Sequence, residues 1–171
     1  MGLELTLICY TNFTQVNEFL ILVNTHILFL PEFTIRLYHN TSKDDPLMTK
    51  LCQYSCQNDF VDLCYINQDH KNVFPMLWRF FPTLDPNVDL IMSRDLDSRF
   101  TAREAAAVRE WLASNKTLHA MRDHPYHGVP IMGGGWGSKL DTPKRRYNIQ
   151  TYKLFKVKLY YSSYFISPFD I

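Results

Sequence analysis

The spacing of apolar residues changes from segment to segment along this chain, and it predicts which segments form helices and which form strands. Residues 102–114 place apolar side chains three or four positions apart, which is the spacing of one helical face: these are Ala105, Val108, Trp111 and Leu112. Short apolar runs bounded by polar residues predict strands instead. We expect helices at 14–29, 46–56 and 102–114, a helical turn at 75–81, and strands at 33–38, 60–66, 88–93 and 117–121.

Helices and strands alternate in this order, which predicts an α/β fold with a mostly parallel sheet and helices on both faces. We expect strand 88–93 to be central and buried, with helix 102–114 packed on the sheet. The 171 residues are 46% apolar and 15% aromatic, so the chain can bury one core. The sequence shows no internal repeat and no interdomain linker.

Two aspartates follow strand 88–93 with one residue between them. An extended backbone points residues i and i+2 to the same side, so Asp95 and Asp97 would present two carboxylates together. Carboxylate oxygens suit hard cations such as Mg²⁺ and Mn²⁺, which often share their ligands with substrate phosphates. Ligands of parallel sheets bind beyond the carboxyl ends of strands, where these aspartates fall. The pattern favours a metal site for a nucleotide diphosphate; an acidic turn paired with neighbouring arginines is the alternative.

The residues after the aspartates predict the start of a helix. Thr101 and Glu104 have the spacing of a capping box, in which a hydroxyl group and a carboxylate satisfy the first free N–H groups of a helix. The aspartates therefore lie in a loop between a strand and a helix, and Glu104 is expected to be a cap and not a catalyst.

Strand 117–121 is expected to end at the same edge of the sheet and to bring the next residues toward the aspartates. These residues include Arg122, Asp123, His124 and His127. Asp123 or His124 is the candidate base that accepts a hydroxyl proton. A structural role for each histidine remains open, and a zinc site is disfavoured because no helical His-x-x-x-His pair exists.

A glycine-rich run at residues 133–137 surrounds one tryptophan. Glycine lets the backbone approach a ligand closely, and the indole of Trp136 can support the apolar face of a sugar ring. Gly134, Gly135 and Trp136 are therefore candidate binding residues. The run lacks the spacing of a phosphate-binding loop, and a turn with a packed tryptophan is the alternative.

Three motifs together resemble a known family. They are Arg94-Asp95-Leu96-Asp97-Ser98-Arg99, Met121-Arg122-Asp123-His124-Pro125 and Gly133-Gly134-Gly135-Trp136-Gly137. The chain resembles an uncharacterised group of glycosyltransferases with the nucleotide-sugar-binding α/β fold called GT-A, most densely over residues 75–140. This resemblance implies that Asp95 and Asp97 hold Mn²⁺ or Mg²⁺ as the cofactor that bridges the diphosphate of a nucleotide-sugar donor.

We therefore expect a metal-dependent glycosyltransferase that transfers a sugar from a nucleotide-sugar donor to an acceptor that the sequence does not identify. Arg94, Arg99 and Arg122 are expected to offer positive charge to the donor, and His127 is expected to line the site. Two alternatives stay open. One is a catalytically inactive relative that binds a nucleotide sugar or a protein partner. The other is a metal-dependent phosphoryl-transfer or hydrolytic enzyme.

The resemblance also implies a longer protein than this chain. We expect residues 1–140 to form a GT-A-like nucleotide-sugar-binding domain that is incomplete relative to the family, and residues 141–171 to form an atypical basic and aromatic tail of a truncated chain. Basic and apolar residues alternate at 144–147 and 152–161, which predicts a strand with one solvated face. The net charge of +1 disfavours a nucleic-acid partner.

An apolar stretch at residues 19–31 is shorter than the roughly 20 residues that a spanning helix needs, so no membrane span is expected in this chain. The N-terminus also lacks the basic start and the cleavage site of a signal peptide. We therefore expect a cytoplasmic protein by default, or a protein of the Golgi lumen if the N-terminus is incomplete.

Overall fold

The computed structural model describes residues 3–8, 15–66, 73, 75–96, 98–122, 125 and 134–149. In chain order the elements are β1 (Leu3–Ile8), α1 (Gln15–Phe29), β2 (Thr34–His39), α2 (Pro46–Gln57), β3 (Val61–Tyr65), a 3₁₀ helix (Pro75–Leu84), β4 (Leu90–Asp95), α3 (Ala102–Ala113), β5 (Leu118–Ala120), β6 (Trp136–Lys139) and α4 at 143–149. Each of the elements expected between residues 14 and 121 is confirmed, with bounds that differ by at most three residues.

The described residues contribute six strands to one sheet, in the order β3-β2-β1-β4-β6-β5. Strands β1 to β4 run parallel to one another, whereas β6 runs antiparallel to β4 and β5. Strand β4 is central and is buried up to Arg94, as predicted. It begins and ends two residues later than expected, so Asp95 is the last residue of the strand. Strand β5 runs in the same direction as β4, and both end at the carboxyl edge of the sheet.

Different helices cover the two faces of the sheet. Leu90 and Met92 of β4 share one apolar cluster with side chains of α1, α2 and α3, including Val108 and Trp111. Ile91, which lies between them, points to the other face and belongs to a cluster on which Phe80 of the 3₁₀ helix packs. Successive strand residues point to opposite faces of the sheet, and at least one helix packs on each face. The predicted mostly parallel α/β sheet with helices on both faces is therefore confirmed.

Strands β1 and β6 do not follow from the sequence pattern. Strand β6 begins in the glycine-rich run, and its backbone is fixed by pairing with β4 on one side and β5 on the other. Gly137 lies opposite Met92 in this pairing. A Cβ atom at Gly137 would lie 2.8 Å from Cη2 of Trp111, so the absent side chain makes room for the indole of α3.

The expected strand at 144–147 is wrong, because residues 143–149 form helix α4. Pro143 occupies the first turn, where a helix has no use for the missing N–H group. The Oγ1 atom of Thr142 accepts a hydrogen bond from the backbone N–H of Arg145 at 3.2 Å. These local start signals favour a helix over the strand that the alternation of basic and apolar residues predicts.

Helix α4 is attached to the same face of the sheet as the 3₁₀ helix. The guanidinium of Arg146 donates hydrogen bonds to the carbonyl oxygens of Asp85 and Val88 at 2.7 and 2.6 Å. Residues 150–171, which include the strand expected at 152–161, lie outside the described residues. A separate tail at residues 141–171 therefore stays a prediction. Helix α4, which contains the first residues of that segment, packs on the domain.

Helix α1 contains most of the apolar stretch at 19–31. It has 15 residues, which at 1.5 Å per residue is about 22 Å and shorter than a hydrocarbon core of about 30 Å. Across the part of the chain that the structure describes, no helix is both long and apolar enough to cross a bilayer.

Helix α1 also carries a buried histidine near its C-terminal end. His26 is fully buried, and its ring centre lies 5.7 Å from that of Phe60 and 6.0 Å from that of Phe100. Burial disfavours the charged imidazolium and lowers the pKa of His26 from 6.5 to about 4, in spite of the nearby Glu32 carboxylate. The folded protein therefore holds this histidine neutral at pH 7.

We expect this histidine to make the free energy of unfolding depend on pH. The unfolded chain binds the proton near pH 6.5, whereas the folded protein binds it only near pH 4, so the stabilisation is complete above pH 6.5 and is lost as pH falls toward 4. The loss should approach about 3 kcal/mol. Urea unfolding of the wild type and of His26→Leu between pH 7.5 and 4 measures it. Equal pH dependence of the two proteins over this range would contradict the assignment.

Candidate functional site at the end of strand β4

The candidate site lies at the carboxyl edge of the sheet, where central strand β4 ends. Leu90 to Arg94 are buried, and Asp95 is the first exposed residue of the strand. The side chain of Asp95 is 50% exposed, so its carboxylate stands at the boundary between the core and the solvent. This is the position at which sheets of parallel strands bind their ligands.

Arg79 of the 3₁₀ helix contacts this carboxylate from the face of the sheet that the 3₁₀ helix covers. Its side chain is only 4% exposed, and Nη1 and Nη2 each lie 3.4 Å from Oδ1 of Asp95. Nη1 also lies 3.4 Å from Oγ of Ser93, two residues earlier on the same face of β4. The sequence reasoning missed Arg79. The only signal was one arginine between Trp78 and Phe80, in a segment that otherwise predicts apolar packing.

Two glycines of the glycine-rich run meet β4 beside Asp95. A Cβ atom at Gly134 would lie 2.7 Å from Oδ2 of Asp95 and 2.9 Å from its backbone nitrogen, closer than side chains approach in proteins. Gly135 has φ +73°, a conformation that glycine adopts without strain. Its N–H donates to the carbonyl of Ser93 at 2.8 Å, and its carbonyl accepts from Met121 at 2.7 Å. The structure therefore brings predicted site residues Gly134, Gly135 and Asp95 together.

Arg94 points to the opposite face of the sheet, and its expected role as a donor-binding residue is wrong. Its guanidinium is 7% exposed and pairs with the 5% exposed carboxylate of Glu104 at 2.6 Å. Nη2 also donates to the carbonyl oxygens of Ser98 and Arg99, at 3.4 and 2.9 Å. Arg94 thus fixes the loop after β4, because alternation along the strand turns it toward α3.

The predicted helix start at α3 is confirmed. Oγ1 of Thr101 accepts a hydrogen bond from the backbone N–H of Glu104 at 3.2 Å. The carboxylate of Glu104 has a further structural role that the capping pattern does not reveal, because it neutralises the buried guanidinium of Arg94.

Trp136 packs inside the protein. It is 3% exposed, and its ring centre lies 5.3 Å from that of Phe80 on the 3₁₀ helix. A sugar cannot reach an indole that is covered in this way, so the alternative of a packed tryptophan describes this residue. The reason is strand β6, whose alternation sends Trp136 toward the 3₁₀ helix and leaves Gly137 facing α3.

The remaining predicted site residues are either exposed or outside the residues that the structure describes. Arg99 follows β4 and Arg122 follows β5, and both side chains are exposed at the carboxyl edge. His119 of β5 stacks on Trp111 on the α3 side, where burial lowers its pKa. Four predicted residues lie outside the described residues: Asp97, Asp123, His124 and His127.

One described residue of this site has the chemistry of a ligand for a divalent cation. Asp95 offers a half-exposed carboxylate, the hard oxygen donor that Mg²⁺ and Mn²⁺ take, and the backbone of Gly134 packs against its Oδ2. Within the described residues no group of three His, Cys, Asp or Glu side chains gathers to hold a metal. The second predicted ligand, Asp97, falls outside those residues.

The fold resembles that of solved glycosyltransferases. The mannosyltransferase PcManGT from Pyrobaculum calidifontis aligns with a TM-score of 0.62 and 10% identity over 88% of this chain and 46% of its own. GlyE from Streptococcus pneumoniae aligns with a TM-score of 0.62 and 11% identity over 95% and 39%. TarS from S. aureus aligns with a TM-score of 0.56 and 10% identity over 82% and 47%. The chain therefore has a glycosyltransferase-like α/β fold.

This chain spans less than half the length of these three structures. No family profile and no curated protein sequence matches it. At such low sequence identities the likeness establishes the fold, and the chemistry has to be argued from the site.

The buried pair of Arg94 and Glu104 predicts that two substitutions in helix α3 differ in their effect on the free energy of unfolding. Glu104→Gln leaves the buried charge of Arg94 uncompensated, so we expect it to lower the free energy of unfolding by about 3–5 kcal/mol. Glu110→Gln, on the exposed face of the same helix, is the matched control and should change it by less than about 0.5 kcal/mol. Urea unfolding measures both. Equal, small effects of the two substitutions would refute a structural role for the Arg94–Glu104 pair.

Proposed function

We propose that this protein is a metal-dependent glycosyltransferase that uses a nucleotide-sugar donor. The observation that carries the proposal is the half-exposed carboxylate of Asp95 at the carboxyl end of the central strand, against which the backbone of Gly134 packs. This placement occurs in a glycosyltransferase-like fold. The mannosyltransferase neighbour was solved with GDP-Man and Mn²⁺, and TarS was solved with UDP-GlcNAc.

The residues of this chain would divide the work as follows. Asp95 and Asp97 would hold Mn²⁺ or Mg²⁺ at the donor diphosphate. When bound, the cation supplies positive charge that stabilises the leaving diphosphate. Arg99 and Arg122, both exposed at the carboxyl edge, would add positive charge for the anionic donor.

The backbone of the glycine-rich run contributes close packing. Gly134 and Gly135 bring the chain against β4 without a side chain between them, which places their backbone beside the carboxylate of Asp95. Asp123 or His124 follows β5 in the sequence, and we assign to one of them the acceptance of the proton from the acceptor hydroxyl group. His127 belongs to the same segment and would contribute to donor or acceptor binding.

Binding of GDP-mannose and UDP-GlcNAc, measured by titration calorimetry with MnCl₂ and with EDTA, tests this function. We expect binding that requires Mn²⁺ in the wild type. Asp95→Asn and Asp97→Asn should each weaken it at least about ten-fold, which is about 1.4 kcal/mol. Because Asp95 is half exposed but its partner Arg79 is buried, we expect Asp95→Asn to fold with a lowered free energy of unfolding, and urea unfolding under the binding conditions checks that it is folded. Asp59→Asn, an exposed aspartate before β3 at the opposite edge, is the matched control and should bind as the wild type does.

Product analysis separates the alternatives. Release of nucleoside diphosphate together with sugar transfer supports the proposal. Metal-dependent binding without cleavage of the donor would indicate an inactive nucleotide-sugar-binding protein, and cleavage to a nucleoside monophosphate and a sugar 1-phosphate, without sugar transfer, would indicate a hydrolase. Unchanged Mn²⁺-dependent affinity in Asp95→Asn would overturn the site assignment.

A further inference from the structure

Strand β4 carries two ion pairs, one on each face, and they differ in tightness and exposure. Arg94 and Glu104 are 2.6 Å apart, and both side chains are less than a tenth exposed. Arg79 and Asp95 are 3.4 Å apart, and only the guanidinium is buried. Charge-assisted hydrogen bonds between nitrogen and oxygen are typically about 2.7–2.9 Å long. The first pair therefore has the geometry of a fixed structural contact, and the second is loose.

The two residues of the loose pair differ in what their separation costs. Asp95 already contacts solvent, so it is not stranded in the core, whereas the buried guanidinium of Arg79 loses its carboxylate and needs another negative charge nearby. Both Arg79 nitrogens approach the same oxygen, Oδ1, whereas the backbone of Gly134 packs against the other oxygen, Oδ2. Arg79 is also anchored by its contact with Oγ of Ser93, which keeps the positive charge at this edge when Asp95 takes another partner.

We propose that Arg79 is a positioning residue that couples metal binding to donor binding. In the absence of donor its guanidinium holds Asp95 and competes with a divalent cation for that carboxylate. When a nucleoside diphosphate binds, its anionic oxygens compensate the positive charges of the Arg79 guanidinium and of the cation. The cation then binds tightly at Asp95. This inference rests on the proposed function and adds a regulation of its site: a high affinity for metal requires the nucleotide.

Elementary electrostatics sets the direction of the effect. A cation at Asp95 lies close to the Arg79 guanidinium, and two like charges about 4 Å apart repel by about 1 kcal/mol even in water. A doubly charged cation and a partly buried site increase this repulsion. Removing the charge of Arg79 should therefore strengthen the binding of metal alone, which is the opposite of what general damage to the site would do.

The test is the affinity for MnCl₂, measured by electron paramagnetic resonance of free Mn²⁺, with and without GDP or UDP. In Arg79→Gln we expect binding of Mn²⁺ alone to tighten at least about five-fold, or about 1 kcal/mol. The factor by which the nucleotide tightens Mn²⁺ binding should shrink correspondingly, and by linkage so should the factor by which Mn²⁺ tightens nucleotide binding. Arg79→Lys retains the charge and should behave like the wild type.

Arg36→Gln is the matched control. It breaks a comparable ion pair, Arg36 to Asp85 at 3.1 Å, on the same face of the sheet but away from Asp95, and it should leave Mn²⁺ affinity unchanged. If Arg79→Gln does not fold, Arg79→Met, which is similar in length and uncharged, replaces it. Unchanged or weaker binding of Mn²⁺ alone in a folded uncharged variant, beside a wild type that binds nucleotide with Mn²⁺, overturns the coupling and leaves the proposed function standing. A wild type without Mn²⁺-dependent nucleotide binding overturns both.

Discussion

Strand β4 points successive side chains to opposite faces of the sheet, and the candidate site depends on this alternation. Ser93 and Asp95 face the 3₁₀ helix, where both contact Arg79. Arg94, between them, faces α3 and pairs with Glu104. Two adjacent charged residues therefore have different roles: Arg94 is structural, and Asp95 faces the solvent. A shift of one residue in the pairing of β4 would bury Asp95 among the helices and expose Arg94.

Strand β6 pairs with one side of β4 and so fixes which β4 side chains point to which face. The glycines within and just before β6 allow this close pairing. Gly137 leaves room for Trp111, while Gly134 and Gly135 lie directly against the end of β4. The same strand buries Trp136 against Phe80. The glycine-rich run therefore acts at the site through its backbone, and its tryptophan stabilises the packing behind the site.

The fold follows from the sequence wherever local signals agree. The cap at Thr101, the apolar face with Val108 and Trp111, and the apolar run before Asp95 each predict their element and its place in the sheet. Strand β6 does not follow, because Trp136 to Lys139 gain their strand conformation from hydrogen bonds to β4 and β5 that sequence spacing does not encode. Helix α4 differs for a related reason, since its start depends on Pro143 and Thr142 while the alternation beside them favours a strand.

The site was predictable in part. The meeting of Asp95 with Gly134 and Gly135 depends on strand β6, which runs antiparallel to β4, and only the position of Asp95 at a strand end follows from the topology of parallel sheets. The pairing of Arg79 with Asp95 and of Arg94 with Glu104 does not, because both depend on which face of β4 meets which helix. Arg79 is also separated from Asp95 by a turn and most of a strand, so spacing along the chain gives no indication of their contact.

We propose that a divalent cation and a nucleoside diphosphate bind together at the end of β4. Paramagnetic broadening of backbone amide signals by Mn²⁺, recorded on isotopically labelled protein with GDP or UDP present, locates the cation directly. We expect broadening to be centred on Ser93, Asp95, Gly134 and Gly135, and to weaken strongly when the nucleotide is omitted. Broadening centred at the opposite edge of the sheet around Asp59, or none at these four residues with nucleotide present, would contradict it.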